Sequence, residues 1–341
     1  MISINRRITQ ALRPGYEPKR VRLGANWMTI CVVARCIEND SFVLAGDRMF
    51  SYGKQLSYES ISLKRVGLTY DGRWHTMFAA DPVANVLPVV RRARQELRHY
   101  RPPHRLDLVE RACVRAYQAQ RVQIINDTIL SMYGIDLQEY RSGALKFHSK
   151  EIERLNFEIE HVMVGLELIV FGYDDLNQSH LFTVTGPGES TDHEQDGFAV
   201  AGCGSGHALH SLLQGELDKH LQSQAEMLCR VCEAKFDAEK DDFVGKDSAV
   251  GVLNRPGNSI SAVSERFISI PAISAIRLAY KKKRRDRPYP QPLLEAITDE
   301  LDCDITSERM SAELIKATDR IRRENKKRRA KNRAARLRRP S

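Results

Sequence analysis

The sequence predicts an α+β fold in which two β-sheets stack between two layers of helices, a four-layer αββα sandwich. Two observations lead to this prediction. Apolar segments of strand length alternate along the chain with segments of helical periodicity, and their order is strands, two helices, strands, two helices, strands. The chain of 341 residues is long enough to bury a core of this kind.

The strands are predicted from apolar runs that are bounded by turn residues. The first two flank a polar turn at residues 38–40: one begins at Met28-Thr29, and the other ends at Asp47. The further predicted strands cover residues 61–70, 73–79, 161–173, 180–184, 198–201, 248–253 and 260–270.

The helices are predicted from apolar positions three and four residues apart and from their end signals. Asp81-Pro82 predicts the start of the first helix, with the aspartate as N-cap and the proline in the first turn. The glycines of GCGSG, residues 202–206, predict a tight turn, and the Lys-Ser/Thr of a phosphate-binding loop is missing there. The other predicted helices cover 106–133, 207–217 and 223–238, and the mixed segment 134–160 is treated as an extension or insertion.

The net charge of +9 is unevenly distributed along the chain. Residues 280–341 contain 20 Lys+Arg and 10 Asp+Glu, whereas the rest of the chain contains 33 and 34. Residues 1–27 are polar and basic and are typical of a flexible leader. The predicted organisation is therefore a leader at 1–27, a globular domain at 28–280 and a basic C-terminal extension at 281–341.

The most basic part of the extension, residues 320–339, has 12 Lys+Arg and one acid, Glu324. A solvated charged segment is one interpretation. The other is binding to nucleic acid or another polyanion through phosphates, without base recognition. A membrane partner is not expected, because the longest apolar stretch, Val162–Tyr173, is interrupted by Glu167 and is too short to span a bilayer.

The seven cysteines are scattered and odd in number, which predicts reduced thiols and a cytoplasmic location. Cys229 and Cys232 form a C-x-x-C pair in a segment with a helical pattern. Packing in a core is favoured over a zinc site, because no second pair of ligands follows. The sequence therefore predicts neither a cofactor nor a metal.

Asp47 ends an apolar strand beside Arg48, and Lys64 lies in the following strand segment. A carboxylate and a lysine that meet next to a core influence each other's pKa and the reactivity of a nearby nucleophile. On spacing alone, a structural ion pair is the favoured interpretation.

The order of several motifs favours a catalytic interpretation instead. MTICVVARC, FVLAGDR, SLKRV and HTMFAADP are followed far downstream by FAVAGCGSGHAL and KDDFVGKDSAV. In this order they resemble the proteasome family of N-terminal-nucleophile hydrolases over roughly residues 28–265. The resemblance implies the αββα sandwich of that family, a threonine nucleophile and assembly into a homo-oligomeric ring.

The resemblance assigns the central chemistry to three positions. Thr29 is the nucleophile, Asp47 is the acid at the strand end, and Lys64 is the lysine of the next strand. A shift of one residue would place Arg65 at the lysine position. The backbone amide that holds the oxyanion falls near Ala79, where the family usually has glycine.

Two supporting residues follow from the downstream motifs. The supporting serine of the glycine-rich turn falls on Ser205, and the second acid falls on Asp241. Val244 stands where the family usually has a serine. Together these residues imply hydrolysis of peptide or amide bonds by acyl transfer to a threonine hydroxyl.

That chemistry needs Thr29 as the first residue, because the α-amine of the threonine is the general base. Asn26-Trp27-Met28 precede it, without the glycine that self-cleaving members have there. Two alternatives are open. Met28 is the true initiator and its removal exposes Thr29, or the leader stays and the chain is a catalytically inactive subunit that assembles and binds a partner through its basic tail.

Overall fold

The computed structural model describes most of the globular part of the chain. The described residues are 29–47, 49–52, 56–59, 64–143, 147–214, 223–256, 265–282 and 288–302. The predicted leader, Arg48 and residues 283–287 and 303–341 of the basic extension lie outside these residues.

The first sheet has five antiparallel strands in the order β10-β1-β2-β11-β12. Its strands are β1 (Ile30–Cys36), β2 (Ser41–Asp47), β10 (Phe198–Gly202), β11 (Ser248–Leu253) and β12 (Glu265–Phe267). The predicted hairpin is confirmed, because β1 and β2 pair from Cys31 opposite Gly46 to Cys36 opposite Ser41. β11 lies on the other side of β2 and places Ser248 opposite Asp47.

The second sheet has five antiparallel strands in the order β5-β6-β7-β8-β9. Its strands are β5 (Arg65–Gly67), β6 (Trp74–Ala80), β7 (Leu166–Tyr173), β8 (Ser179–Thr185) and β9 (Glu189–Asp192). A separate two-stranded hairpin consists of β3 (Met49–Tyr52) and β4 (Leu56–Glu59).

The helices form two groups along the chain. The first group is α1 (Val86–Leu97), α2 (Leu106–Ile125), the short α3 (Leu137–Arg141) and α4 (Ser149–Glu160). The second group is α5 (Ser205–Leu213), α6 (Gln224–Ala238), α7 (Ile270–Tyr280) and α8 (Gln291–Asp302). None of the helices in the described part of the chain combines the length and the hydropathy that crossing a membrane requires.

Three buried apolar clusters join these elements. One packs β1, β2, β10 and β11 against α5 to α8, and a second packs β6, β7 and β8 against α1 and α2. The third joins residues of both sheets, with Val33 and Leu44 of the first sheet and Ile169 and Phe171 of the second among them. Successive residues of β1 belong to different clusters because side chains alternate across a strand. The chain is therefore a mixed fold of helices and sheets in which both faces of the first sheet are buried.

Several element boundaries differ from the sequence-based prediction. Asp81-Pro82 is followed by a 3₁₀ turn at Val83–Asn85, so the aspartate is not the N-cap of α1. The segment 134–160 forms α3 and α4, whose apolar side chains join a small separate cluster. The predicted strand 260–270 is wrong at its end: β12 stops at Phe267, and α7 begins at Ile270.

The physical reason for α7 lies in its first residues. The side chain of Ser269 accepts a hydrogen bond from the backbone N–H of Ala272, and Pro271 occupies the first turn, where its missing N–H is not needed. The helix α8 lies within the segment assigned to the basic extension. Its Leu293 and Ile297 are buried in the cluster of α6 and α7, so the packed body reaches at least to residue 302.

Candidate active site

Thr29 lies immediately before β1 and is 3% exposed. Its side-chain hydroxyl donates a hydrogen bond to Oδ1 of Asp47 at 2.7 Å. Its backbone carbonyl accepts hydrogen bonds from the backbone N–H of Cys203 at 3.1 Å and from the thiol of Cys203 at 3.3 Å. The residue is therefore held on both its side-chain and main-chain atoms.

Asp47 is the last residue of β2, and its side chain is completely buried. Oδ1 also accepts a long hydrogen bond from the backbone N–H of Ile30 at 3.4 Å. Oδ2 accepts a hydrogen bond from the backbone N–H of Gly245 at 3.2 Å. Both oxygens of the carboxylate thus have donors, which fixes the rotation of the group.

Lys64 precedes β5 and is 4% exposed. Its ammonium donates to Oγ1 of Thr29 and lies 2.8 Å from Oδ1 of Asp47. The neighbouring Arg65 points elsewhere, with its Nη1 2.8 Å from Nδ1 of His75. The structure therefore brings Lys64, and not the alternative Arg65, to the threonine.

The three side chains form a buried triangle of hydroxyl, carboxylate and ammonium. The hydroxyl oxygen accepts a hydrogen bond from the Lys64 ammonium, and the hydroxyl donates a hydrogen bond to the Asp47 carboxylate. This arrangement holds the oxygen of Thr29 in one orientation, and a positive charge beside an oxygen favours its deprotonated form. The site thus supplies a cation and an orienting carboxylate for the hydroxyl, and the α-amine of Thr29 adds a base once it is free.

Gly202, at the end of β10, lies directly against the backbone of Thr29. Gly202 has a φ of +110°, and a Cβ built on it would lie 2.2 Å from the carbonyl oxygen of Thr29. Only glycine combines this backbone conformation with so close an approach. The tight turn that GCGSG predicts is therefore confirmed at Gly202, where it holds the threonine.

Glu167 is an acid in this region that the sequence reasoning missed. It belongs to β7, and its Oε2 accepts a hydrogen bond from the backbone N–H of Gly202 at 2.9 Å, which links the two sheets. Burial raises the pKa of Glu167, and the hydrogen bond from Gly202 opposes that rise. A signal was present in the sequence, since Glu167 is the one charge that interrupts the apolar run Val162–Tyr173.

Two cysteines lie near Thr29: Cys31 follows it by two residues in β1, and the Cys203 thiol contacts its carbonyl. The Cys31 thiol donates to the carbonyl of Phe78 at 3.2 Å, and burial raises the pKa of Cys31 to about 12. Burial also raises the pKa of Cys203. Because a thiolate is the nucleophilic form of cysteine, these raised pKa values make both thiols less reactive.

Ala79 is fully buried in β6, opposite Glu167 of β7. The preceding N–H, that of Phe78, donates to the carbonyl of Lys64 at 3.2 Å on the β5 side. Successive N–H groups of a strand point to opposite edges, so the N–H of Ala79 points toward β7, away from Lys64. The oxyanion role of this amide stays a prediction that the register does not favour.

Ser205 is the first residue of α5 and follows the turn that holds Thr29. Asp241 follows α6, and its Oδ1 accepts a hydrogen bond from the backbone N–H of Phe243. Its backbone carbonyl accepts from Val244 at 3.0 Å, which closes the turn that leads to Gly245. Within this turn it is the Gly245 amide that contacts Asp47, and the roles of Ser205 and Asp241 stay predictions.

The C-x-x-C cysteines, Cys229 and Cys232, lie on α6 with completely buried side chains in the cluster between α6 and the first sheet. This is the core packing that the sequence reasoning favoured. Among the residues that the structure describes, no group of three or more His, Cys, Asp and Glu is arranged to hold a metal ion.

No protein family model and no curated protein matches the chain. Among solved structures, it is similar to eukaryotic HslV from Trypanosoma brucei, with 16% sequence identity, 66% of this chain and 99% of that chain covered, and a TM-score of 0.42. It is also similar to a Gly-1 mutant of Anbu from Hyphomicrobium sp. strain MC1, with 14% identity, 82% and 100% of the chains covered, and a TM-score of 0.47. Likenesses of this size carry no argument about chemistry.

Proposed function

We propose that this chain is a proteasome-like hydrolase that cleaves peptide or amide bonds with Thr29 as the nucleophile. The observation that supports the proposal best is the buried contact of the Thr29 hydroxyl with both Asp47 and Lys64. With it we propose the αββα sandwich of N-terminal-nucleophile hydrolases for the packed body of the chain, and assembly of identical subunits into a ring.

In the proposed reaction, Oγ1 of Thr29 attacks the carbonyl carbon of the substrate, and the free α-amine of Thr29 takes the hydroxyl proton. That proton then passes to the leaving amine, which leaves an ester between substrate and Thr29. Water hydrolyses the ester and regenerates the hydroxyl. Lys64 lowers the energy of the developing alkoxide, and Asp47 holds Lys64 in place.

The oxyanion needs a donor near the end of β6. Ala79 was the position that the resemblance implied. The N–H of the next residue, Ala80, points to the same edge as that of Phe78, which faces Lys64. We therefore propose Ala80 as the donor, and such a donor contributes on the order of 3 kcal/mol to catalysis.

A second candidate is a catalytically inactive subunit of the same fold. The observation that favours it is the peptide bond between Met28 and Thr29, which removes the basic amine as long as it is intact. In this case the basic extension is the proposed binding element for a polyanion. Its most basic part, residues 320–339, lies outside the described residues, so its charge is its only support.

N-terminal sequencing and covalent labelling of the same samples distinguish the hydrolase from the inactive subunit. The full-length protein and a version that starts at Met28 are purified, their N-termini are sequenced, and both are treated with a peptide epoxyketone, which reacts with a free N-terminal threonine. We expect covalent labelling of every sample whose first residue is Thr29, and none in the Thr29→Ala variant. Thr183→Ala is the matched control, since Thr183 is a buried threonine of β8 and bonds to His193.

The hydrolase proposal fails if protein that begins at Thr29 is folded and is not labelled. Labelling that survives Thr29→Ala contradicts it as well. Processing that starts the chain anywhere else, with no labelling, supports the inactive subunit.

A further inference from the structure

A second buried charge cluster lies next to the candidate site, and the proposed reaction does not use it. Lys235 of α6 is 0% exposed, and its ammonium donates to Glu239 and, at 2.7 Å, to the carbonyl of Gly245. Arg277 of α7 donates to both carboxylate oxygens of Glu239, at 2.8 Å for Nη2 to Oε1. Two helices therefore place two cations around one carboxylate.

The same cluster holds the chain that connects α6 with β11. Nη2 of Arg277 also donates to the carbonyl of Lys246 at 2.8 Å and to Oγ of Ser248 at 3.2 Å. Together with the bond from Lys235 to Gly245, this gives three bonds to a stretch of four residues, 245–248. The end of the connection, residues 245–247, and the first residue of β11 are thus bound by side chains of α6 and α7.

Gly245 is the link between this cluster and the site. Its carbonyl accepts from Lys235, and its N–H donates to Oδ2 of Asp47 at 3.2 Å. The opposite oxygen of Asp47 bonds to Thr29 and Lys64. If the N–H of Gly245 moves away, Oδ2 of Asp47 loses this donor. The carboxylate is then oriented less tightly, because the bonds that remain are to Oδ1.

Stability alone does not account for such a cluster. Burial lowers the pKa of Lys235, and the neighbouring Glu239 opposes this effect. Buried ion pairs are replaced by apolar residues of similar size with little or no loss of stability in many proteins, because desolvation offsets the attraction between the charges. The better explanation is that these charges fix the position of Gly245, whose N–H bonds to the Asp47 carboxylate of the candidate site.

We propose that Lys235, with Glu239 and Arg277, is a positioning residue for this site: it fixes Gly245, and through Gly245 it fixes the carboxylate of Asp47 that orients Lys64 and Thr29. The effect on reactivity rests on the proposed function. The effect on the geometry of residues 245–248 does not.

The test uses Lys235→Met in the full chain, which removes the ammonium and keeps an unbranched side chain of similar length. The matched control is Tyr280→Phe, which removes a hydrogen bond of 2.7 Å between α7 and Asp237 of α6 without contact to Gly245. Hydrogen–deuterium exchange is followed on peptides covering 241–248 and 224–234. Labelling kinetics with the epoxyketone give the maximal rate and the half-saturating concentration separately.

For Lys235→Met we expect exchange of 241–248 to be about tenfold faster, with 224–234 unchanged. The maximal labelling rate falls by about tenfold or more, while the half-saturating concentration stays within about twofold, as misplacement of a reacting group predicts. Tyr280→Phe changes neither quantity. Equal exchange of 241–248 in wild type and a folded Lys235→Met overturns the proposal, as does an equal effect of both variants.

Two further outcomes are decided in the same experiment. If Lys235→Met does not fold, Glu239→Gln takes its place with the same expected and contradicting results, since it removes the charge that Lys235 and Arg277 share. If processed wild type is not labelled, the proposed function fails, and the exchange data alone decide whether the cluster holds Gly245.

Discussion

Asp47 and Lys64 form an ion pair with 2.8 Å between Oδ1 and Nζ, and both side chains are almost completely buried. The pair is built by the end of β2 in the first sheet and by the residue before β5 in the second. Because Thr29 contacts both charges, the pair joins the two sheets at the hydroxyl of the candidate nucleophile.

We expect Asp47→Asn to lower the free energy of unfolding by about 3–5 kcal/mol, because the buried charge of Lys64 loses its carboxylate. The double variant Asp47→Asn/Lys64→Met should lose less than the sum of the single variants, by about 0.5–3 kcal/mol. Denaturant unfolding measures all three. Glu96→Gln, in the partly exposed pair with Arg115, is the control and should lose no more than about 1 kcal/mol. Additive effects at Asp47 and Lys64 would contradict a direct interaction.

Gly202→Ala should destabilise the protein, whereas Gly206→Ala in the same glycine-rich turn should not. At Gly202 the positive φ alone costs about 1–3 kcal/mol. The new methyl group also meets the carbonyl oxygen of Thr29. At Gly206, in the first turn of α5, nothing lies within 4 Å of the new Cβ, and we expect a gain of about 0.4–1 kcal/mol. Thermal unfolding of both variants checks this, and similar melting temperatures would show that the turn does not hold the threonine.

His75 should make the protein sensitive to acid. Burial and the nearby Arg65 lower the pKa of His75 to about 4, and its Nδ1 lies 2.8 Å from Arg65, an arrangement that requires the neutral ring. Between pH 6.5 and about 4 the unfolded chain therefore binds a proton that the folded chain does not, so stability falls as the pH falls. The full effect is about 3 kcal/mol.

The matching experiment compares unfolding of wild type and His75→Gln from pH 7 down to pH 4. The glutamine variant should lose this part of the pH dependence, whereas His207→Gln, at an exposed position of α5, should keep it. Parallel pH curves for wild type and His75→Gln would show that folding does not lower the pKa of His75.

Glu167 should change the stability with pH in the direction opposite to His75. Because burial raises its pKa in the folded protein above the ordinary value of 4.5, the folded chain holds the proton to higher pH than the unfolded chain. Stability relative to Glu167→Gln should therefore decrease as the pH rises above 4.5. Urea unfolding between pH 4 and 8 tests this, with Glu153→Gln on the exposed side of α4 as the control. A difference that is constant with pH would mean that Glu167 titrates like an exposed acid.

The parts of the fold that follow local rules were predictable. The hairpin of β1 and β2 has continuous apolar strands around a polar turn, and α6 has helical periodicity and a capping box at Ser223 and Glu226. The start of α7 was missed although Ser269 and Pro271 carry ordinary helix-start signals, because the apolar residues before them extended the strand pattern. In α4 the buried residues are Leu155 and Ile159. Two apolar positions among many charges gave too weak a helical periodicity to predict the helix.

Only those residues of the site that belong to recognisable motifs could be predicted from the sequence. Thr29, Asp47 and Lys64 were identified from such motifs, and the structure brings them into contact. Gly245 acts through a backbone N–H, which no residue type reveals. Lys235 looks in the sequence like one charge on a helix, and only packing shows that it is buried against that glycine.

The bond between Gly245 and Asp47 joins residues 198 positions apart, and β11 must pair with β2 for it to form. During synthesis the N-terminal part of the chain emerges first, so β2 with Asp47 lacks this neighbouring strand until β11, at residues 248–253 of 341, has been made. Pairings between such distant segments also form late in folding, because closing long loops is slow. Thr29 and Asp47 therefore acquire their complete set of contacts only after β11 has paired with β2, and a nascent or truncated chain without β11 lacks the bond from Gly245 that helps to orient Asp47.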